Sequence, residues 1–423
     1  RLRGRRHGLR QRGQPGEDGG EHGQSARPAA PARRRTPRAG AATGLATGLA
    51  MLAAVFAGLP ALAQPMSTPA QAAFVKDLES GAVLLAKNAD EPLPPASMSK
   101  LMTLFMVFEA LESGRLSLED TFRTSARAAS LGGSKMFIRE GGVVSVDNLL
   151  RGVIIQSGND AAVALAEALA GTEEAFAELM NARAAEIGLE NSHFMNATGW
   201  PHPEHVMSVR DRARLAQMVI ERFPEFYPRF SERRFTWADI TQRNRNPLLG
   251  QFEGADGLKT GHTQDAGYGL VASARREGRR VVLVIAGLES AGQREREAER
   301  LMNWAFRAFE TRTLHAAGTA VVEAPVWIGA ADTVALAPAR DVILTAPLGQ
   351  LDQAEVTAHF DAPVPAPITA GDRVGEIRIA VPGLDPVAVP LVAMADVAPG
   401  GFVARVEAAA TLLAGEALAL VGL

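Results

Sequence analysis

The sequence has 423 residues, 47% of them hydrophobic, a formal net charge of -3 and no cysteine. It is long enough for two globular domains, and its near-neutral charge excludes a whole-chain nucleic-acid binder. The missing cysteines exclude disulfides, thiolate metal sites and a cysteine nucleophile, but they leave the compartment open because an exported bacterial protein need not carry disulfides.

Residues 1–40 are rich in Arg, Gly and Pro and lack apolar periodicity, so they read as a basic disordered extension. A nucleic-acid-binding arm is the functional alternative for this charge run. The sequence opens on arginine, which fits a fragment or an over-extended start site. Arg33-Arg34-Arg35 and Arg38 then precede an apolar run from Ala41 to Pro60 that exits through Ala61-Leu62-Ala63 before Gln64. A basic start, an apolar middle and a small-residue exit predict a cleaved signal peptide over 41–63 and export of a chain beginning near Gln64. The run is also long enough for an uncleaved anchor.

Ala73-Phe74-Val75, a turn at Ser80-Gly81 and Val83-Leu84-Leu85 predict a hairpin. Pro94-Pro95-Ala96-Ser97-Met98-Ser99-Lys100 follows, leading into a helix whose apolar residues are Leu101, Leu104, Phe105, Phe108 and Leu111. Side chains three apart on a helix are neighbours, so Lys100 can reach the Ser97 hydroxyl, and amide dipoles at the helix start favour negative charge there. The serine becomes a nucleophile only if Lys100 is held neutral by burial or a nearby cation. About one S-x-x-K is expected by chance in a chain of this length. Lysine usage strengthens the reading: of 44 basic residues only Lys76, Lys87, Lys100, Lys135 and Lys259 are lysines. Arginine cannot be tuned to act as a base, whereas lysine can.

Leu149 to Ile155 predicts a buried helix, and an alanine-rich helix runs from Ala161 to Ala170. Between them stands Gln156-Ser157-Gly158-Asn159-Asp160, which alone reads most simply as a turn with an Asn/Asp cap. Asp256-Gly257-Leu258-Lys259-Thr260-Gly261-His262-Thr263 precedes two apolar runs, Tyr268–Ala274 and Val281–Gly287, joined by a charged turn. This pattern puts Lys259 to His262 on a strand beside a hairpin. Read functionally, that strand presents a cation and a hydroxyl while Gly261 lets a substrate backbone lie close; otherwise it is a solvated strand with a bulge at Gly261. Glu295 to Phe309 predicts an amphipathic helix closing the domain.

Beyond Thr311 short Val/Ala/Pro-rich strands predict a small all-β domain over 311–400, with its boundary near Glu310 to Leu314. The final segment, 401–423, is apolar and helix-compatible but has no basic face and only Phe402 as an interfacial aromatic, which leaves attachment to the inner-membrane surface open. His202-Pro203-Glu204-His205 is not the H-E-x-x-H of a zinc helix, so no metal or other cofactor is expected.

Ser97-x-x-Lys100, Ser157-x-Asn159 and Lys259-Thr260-Gly261 occur in the order of the S-x-x-K, S-x-N and K-T-G set of penicillin-recognising enzymes. The stretches Gly132–Phe137, Asn196–Pro201 and Arg243–Asn246 extend the resemblance to the low-molecular-mass D-alanyl-D-alanine carboxypeptidases, strongly over Ala73 to Phe309 and more weakly beyond. The resemblance implies an α/β (α+β) transpeptidase-like domain over 64–310, with a five-stranded antiparallel sheet and a helical cluster carrying Ser157 and Asn159. By resemblance Ser97 attacks the penultimate D-alanine carbonyl of a peptidoglycan stem peptide and Lys100 takes its proton. Ser157 relays a proton to the leaving D-alanine, Asn159 positions substrate and Lys100, and Lys259 with Thr260 holds the terminal carboxylate. Backbone N–H groups of Ser97 and His262 form the oxyanion hole. Arg245 and Arg294 resemble arginines near the family's site, although neighbouring Arg243 and Arg296 leave that alignment ambiguous. β-Lactams are implied as acylating inhibitors. Slow β-lactam hydrolysis is implied as well, because Asn191 to His205 lacks the glutamate pattern of a class A β-lactamase. The rival readings are a D,D-endopeptidase of the same superfamily, a weak β-lactamase and a catalytically silent peptidoglycan-binding protein; the intact triplet argues against the last.

Overall fold

The structure is a computed structural model that describes residues 66–402, 405–406, 408–410 and 413. The expected basic extension over 1–40, the expected signal peptide over 41–63 and most of the segment 401–423 lie outside the described residues. Among the described residues no helix is long and apolar enough to cross a membrane.

A five-stranded antiparallel sheet organises the first part of the chain, in the order Val83–Lys87, Ala72–Asp77, Arg279–Leu288, Gly267–Arg276, Ala255–Thr263. The expected hairpin is its first two strands. Their turn is held by the Asp77 carboxylate, which accepts the backbone N–H groups of Glu79 at 3.1 Å and Ser80 at 3.0 Å. The inner strands alternate faces with period two: Phe74, Val282 and Val284 enter the larger core, while Val75, Leu283 and Ile285 enter the smaller one beneath the last helix. The edge strand Ala255–Thr263 carries Lys259 to His262.

Seven α-helices accompany the sheet: α1 (Lys100–Glu112), α2 (Ala126–Ser130), α3 (Val146–Ile155), α4 (Asn159–Ala170), α5 (Glu173–Glu186), α6 (Val209–Arg222) and α7 (Ala291–Arg307). α1 is buried on nearly every side, with Leu101, Leu104, Phe105 and Phe108 in the core and Phe108 stacked on Phe226 at 5.3 Å. A helix apolar all round belongs at the centre of a domain. The residue opening α1 is therefore a lysine forced into the interior. Side-chain oxygens cap the helices around it: Ser145 opens α3, Thr172 opens α5 and Ser208 opens α6.

The C-terminal part is all β. A six-stranded sheet runs Glu355–Phe360, Arg373–Ala380, Val387–Ala393, Thr333–Pro338, Val322–Trp327, Val364–Pro365, and a two-stranded ribbon pairs Phe309–His315 with Val342–Pro347. The first strand begins at Phe309, just ahead of the expected boundary, because Phe309 packs edge-on against Trp304 of α7 at 5.0 Å while pairing with Pro347. Arg279 ties this part to the sheet: its Nε donates to the fully buried Asp77 carboxylate at 2.6 Å and its Nη1 to the Phe309 carbonyl at 3.2 Å.

Candidate active site

Ser97 lies in a single 3-10 turn, Ala96–Ser99, that runs directly into α1. Ala96 adopts a left-handed φ of 48°, and the turn is clasped by the loop carrying Gly199. A Cβ on Gly199 would sit 1.8 Å from the Ala96 carbonyl oxygen. Only glycine allows that approach.

Lys100 is completely buried. Its Nζ lies 3.0 Å from Ser97 Oγ, 2.7 Å from Asn159 Oδ1 and 2.6 Å from the Thr198 carbonyl oxygen. A neutral amine has two N–H donors, which the Asn159 and Thr198 oxygens take, leaving its lone pair for the Ser97 hydroxyl proton. Burial, reinforced by the Arg245 guanidinium, lowers the Lys100 pKa to about 7. The pair therefore has the geometry and the proton affinity of a nucleophile and its base at neutral pH.

The helical cluster supplies the opposite wall. Asn159 opens α4; its Oδ1 faces Lys100 and its Nδ2 donates to the Gly132 carbonyl at 2.9 Å. Asp160 accepts the Met136 N–H at 2.8 Å and the Ile138 N–H at 3.1 Å, pinning the Gly132–Phe137 stretch against α4. Ser157 is buried, holds φ 62°, and its Oγ has no hydrogen-bond partner among the described residues. A left-handed non-glycine residue costs about 1–3 kcal/mol and is retained where its surroundings enforce it.

Lys259 is buried on the edge strand, and among the described residues only the Thr260 carbonyl accepts from its Nζ, at 3.2 Å. Burial, then the positive charges of Lys100, Arg245 and Arg294, hold its pKa well below the usual lysine value. A buried amine among cations, with no carboxylate paired to it among the described residues, is a site that gains most when an anion enters. Thr260 is buried next to it. The His262 imidazole instead points outward and stacks on Tyr268 at 3.8 Å between ring centroids.

The missing side chain of Gly261 faces the turn that bears Ser97. The strand is in regular register there, Gly261 opposite Gly269, and a Cβ would lie 3.0 Å from the Pro95 carbonyl oxygen and 3.2 Å from the Met98 backbone N. The glycine lets the edge strand pack against the turn that bears Ser97. Gly261→Ala should therefore displace that turn and slow Ser97 acylation about 10-fold to 100-fold. Stopped-flow acylation measures this directly, and an unchanged rate would contradict the close-packing role.

Arg245 and Arg294 both bear on Lys259, Arg245 contacting Ser134 Oγ and Arg294 lying 5.8 Å from the Tyr268 ring centroid. Arg243 and Arg296 are exposed and do not join this group. The motifs missed the Thr198 and Gly132 carbonyls and Glu173, a buried carboxylate near Lys100 whose Oε1 accepts from Ala197 N at 3.2 Å and whose Oε2 pairs with Arg127 at 3.0 Å. His205 is not beside the nucleophile–base pair as a ligand or base: it is buried, its Nε2 lies 2.8 Å from Ser99 Oγ, and burial holds its pKa down to about 3.

A family model described as D-alanyl-D-alanine carboxypeptidase matches residues 60–290, and one described as the C-terminal domain of penicillin-binding protein 5 matches 309–399. The D-alanyl-D-alanine carboxypeptidase DacC of Escherichia coli is 39% identical, over 80% of this chain and 87% of its own. The solved structure of penicillin-binding protein 5 from Haemophilus influenzae aligns with a TM-score of 0.74 and 37% identity, covering 79% of this chain and 99% of that one. Penicillin-binding protein D2 from Listeria monocytogenes, solved in its ampicillin-bound form, is 32% identical with a TM-score of 0.53, covering 57% of this chain and 99% of that one.

Proposed function

The chain belongs to the D-alanyl-D-alanine carboxypeptidase family of serine peptidases, and we propose that it removes the terminal D-alanine from peptidoglycan stem pentapeptides through an acyl-enzyme on Ser97. The observation that carries this reading is the fully buried Lys100, 3.0 Å from Ser97 Oγ and held near neutrality. Ser97 Oγ attacks the penultimate D-alanine carbonyl as its proton passes to Lys100. The oxyanion is held by the backbone N–H groups of Ser97 and His262, an arrangement worth about 3–4 kcal/mol per donor in a transition state. Ser157, with its unpartnered hydroxyl, passes a proton to the departing amine, and Asn159 keeps Lys100 aimed. Lys259 and Thr260 hold the terminal carboxylate, with Arg245 and Arg294 adding positive charge behind them. Water then hydrolyses the ester. D-Alanine release from an acyl-D-Ala-D-Ala peptide tests the reaction, and a folded chain that releases none overturns it.

The same clamp recognises the carboxylate of a β-lactam, which acylates Ser97 and leaves slowly. Export through the segment 41–63 puts the enzyme in the periplasm beside its substrate, and the apolar, helix-compatible sequence of 401–423 supports contact with the inner-membrane surface. Lys259→Ala should lower kcat/KM on an acyl-D-Ala-D-Ala peptide about 100-fold, because a desolvated charge-assisted pair is lost. A substrate amidated at its C-terminus should be affected far less. Equal loss on both substrates would contradict the clamp.

A further inference from the structure

On the reading of Lys100 as the base of Ser97, which this role presupposes, we propose that Glu173 is a positioning residue. Its carboxylate, backed by Arg127, fixes the backbone that carries the Thr198 carbonyl and so aims the Lys100 amine at the Ser97 hydroxyl. Glu173 and Glu174 both stand in the first turn of α5. A carboxylate there is favoured by the helix dipole even at the surface, and Glu174 is exposed. Glu173 is instead only 5% exposed. Burying a carboxylate is costly unless charge and hydrogen bonds compensate it, so the helix terminus alone does not account for its direction. Its compensating partners come from outside α5: Oε1 accepts the Ala197 N–H at 3.2 Å, and Oε2 accepts from Arg127 of α2 at 3.0 Å.

Ala197 is thereby held from two helices. Its N–H goes to Glu173, and its carbonyl accepts from Thr103 Oγ1 at 2.7 Å, one turn along α1 from Lys100. Asn196 Oδ1 accepts the Thr198 N–H at 3.1 Å, which fixes the next peptide as well. The carbonyl that follows is that of Thr198, which takes a Lys100 N–H at 2.6 Å. One hydrogen bond and a single residue of backbone therefore separate Glu173 from an acceptor that orients the base. The other acceptor, Asn159, is reached from the same side: Gly132, whose carbonyl accepts from Asn159 Nδ2, lines one cleft with Arg127, Glu173 and Thr198.

The carboxylate also acts through its charge. Arg245 and, on the edge strand, Lys259 disfavour a protonated Lys100, whereas Asp160 of α4 and Glu173 of α5 favour it. His205, on the loop before α6, is neutral. Asp160 is already committed to the Met136 and Ile138 N–H groups. Glu173 opposes the effect of burial on Lys100, and Arg127, more than half exposed, partly neutralises it. Removing the Glu173 charge should therefore let Lys100 lose its proton at lower pH, and removing the Arg127 charge should delay that loss to higher pH.

Ampicillin acylation of Ser97, followed against pH, tests the role in wild type, Glu173→Gln, Glu173→Met and Arg127→Gln. Glutamine keeps an oxygen for the Ala197 N–H without the charge. Its pH step should move down by about 0.5 unit, with the plateau falling less than about 3-fold because the base is weaker. Arg127→Gln should move the step the opposite way. Methionine fills the same space with no acceptor oxygen, so its plateau should fall about 10-fold as the amine turns from Ser97. The ampicillin concentration giving half the maximal rate should change less than about 2-fold, because the Lys259 clamp is untouched. A merely structural Glu173 would lower melting temperatures and leave the pH steps in place. Unshifted steps in the glutamine variants, or a methionine plateau equal to that of glutamine, would overturn the positioning role. A wild-type rate with no step near pH 7 would instead overturn the reading of Lys100 as the base.

Discussion

Ser97→Ala should release no measurable D-alanine, a loss on the order of 10⁴-fold or more, as expected when the nucleophile of a covalent mechanism is removed. Ser97 is half-buried in the turn that opens α1, and its removal takes away only an oxygen whose contact is the Lys100 amine. The fold should be unaffected, so circular dichroism and melting should match wild type while acylation disappears. Substantial D-alanine release by the alanine variant would mean that another group attacks the carbonyl.

Lys100→Arg should be nearly as damaging, with a loss on the order of 10³-fold even though the positive charge is kept, because general-base catalysis needs a group that gives up its proton near the working pH. With Lys100 lowered to about 7, wild-type acylation should rise with pH up to about 7, as the amine loses its proton, and level off above. The arginine variant should show no such step. Folding stability should carry the same signature. The unfolded chain binds the Lys100 proton up to its usual pKa of 10.5, whereas the folded chain releases it near 7. Between those values the unfolded state holds more protons, so this group makes stability rise with pH across the window. An arginine variant with wild-type acylation would refute the general-base role.

Much of the candidate site was legible because its signals are local. The S-x-x-K spacing needs only a helix, and the apolar surroundings of α1 imply that the lysine is interior. The alternating runs after Gly267 fix the hairpin that supports the K-T-G strand. Of the partners of Lys100, Asn159 was reached only through the S-x-N motif of the family, and the Thr198 carbonyl was not legible at all. Asn159 Oδ1 and the Thr198 carbonyl reach it across sequence separations of 59 and 98 residues, and a backbone carbonyl has no residue-type signature. The packing of Gly261 against the Ser97 turn was not legible for a related reason: a glycine advertises close approach without saying what approaches. The choice between Arg294 and Arg296 was available from periodicity. They lie about 200° apart around a helix, and Arg294 shares its face with Ala298, Leu301, Met302 and Ala305, the buried side of α7.

The central claim, that Ser97 is the acylated residue and Lys100 its base, is tested most directly by exposing the chain to ampicillin and locating the adduct by peptide mass spectrometry. The account predicts one β-lactam per chain, on the peptide containing Ser97, forming faster as pH rises to about 7 and absent from Ser97→Ala. An adduct on any other residue, or undiminished labelling of the alanine variant, would contradict it.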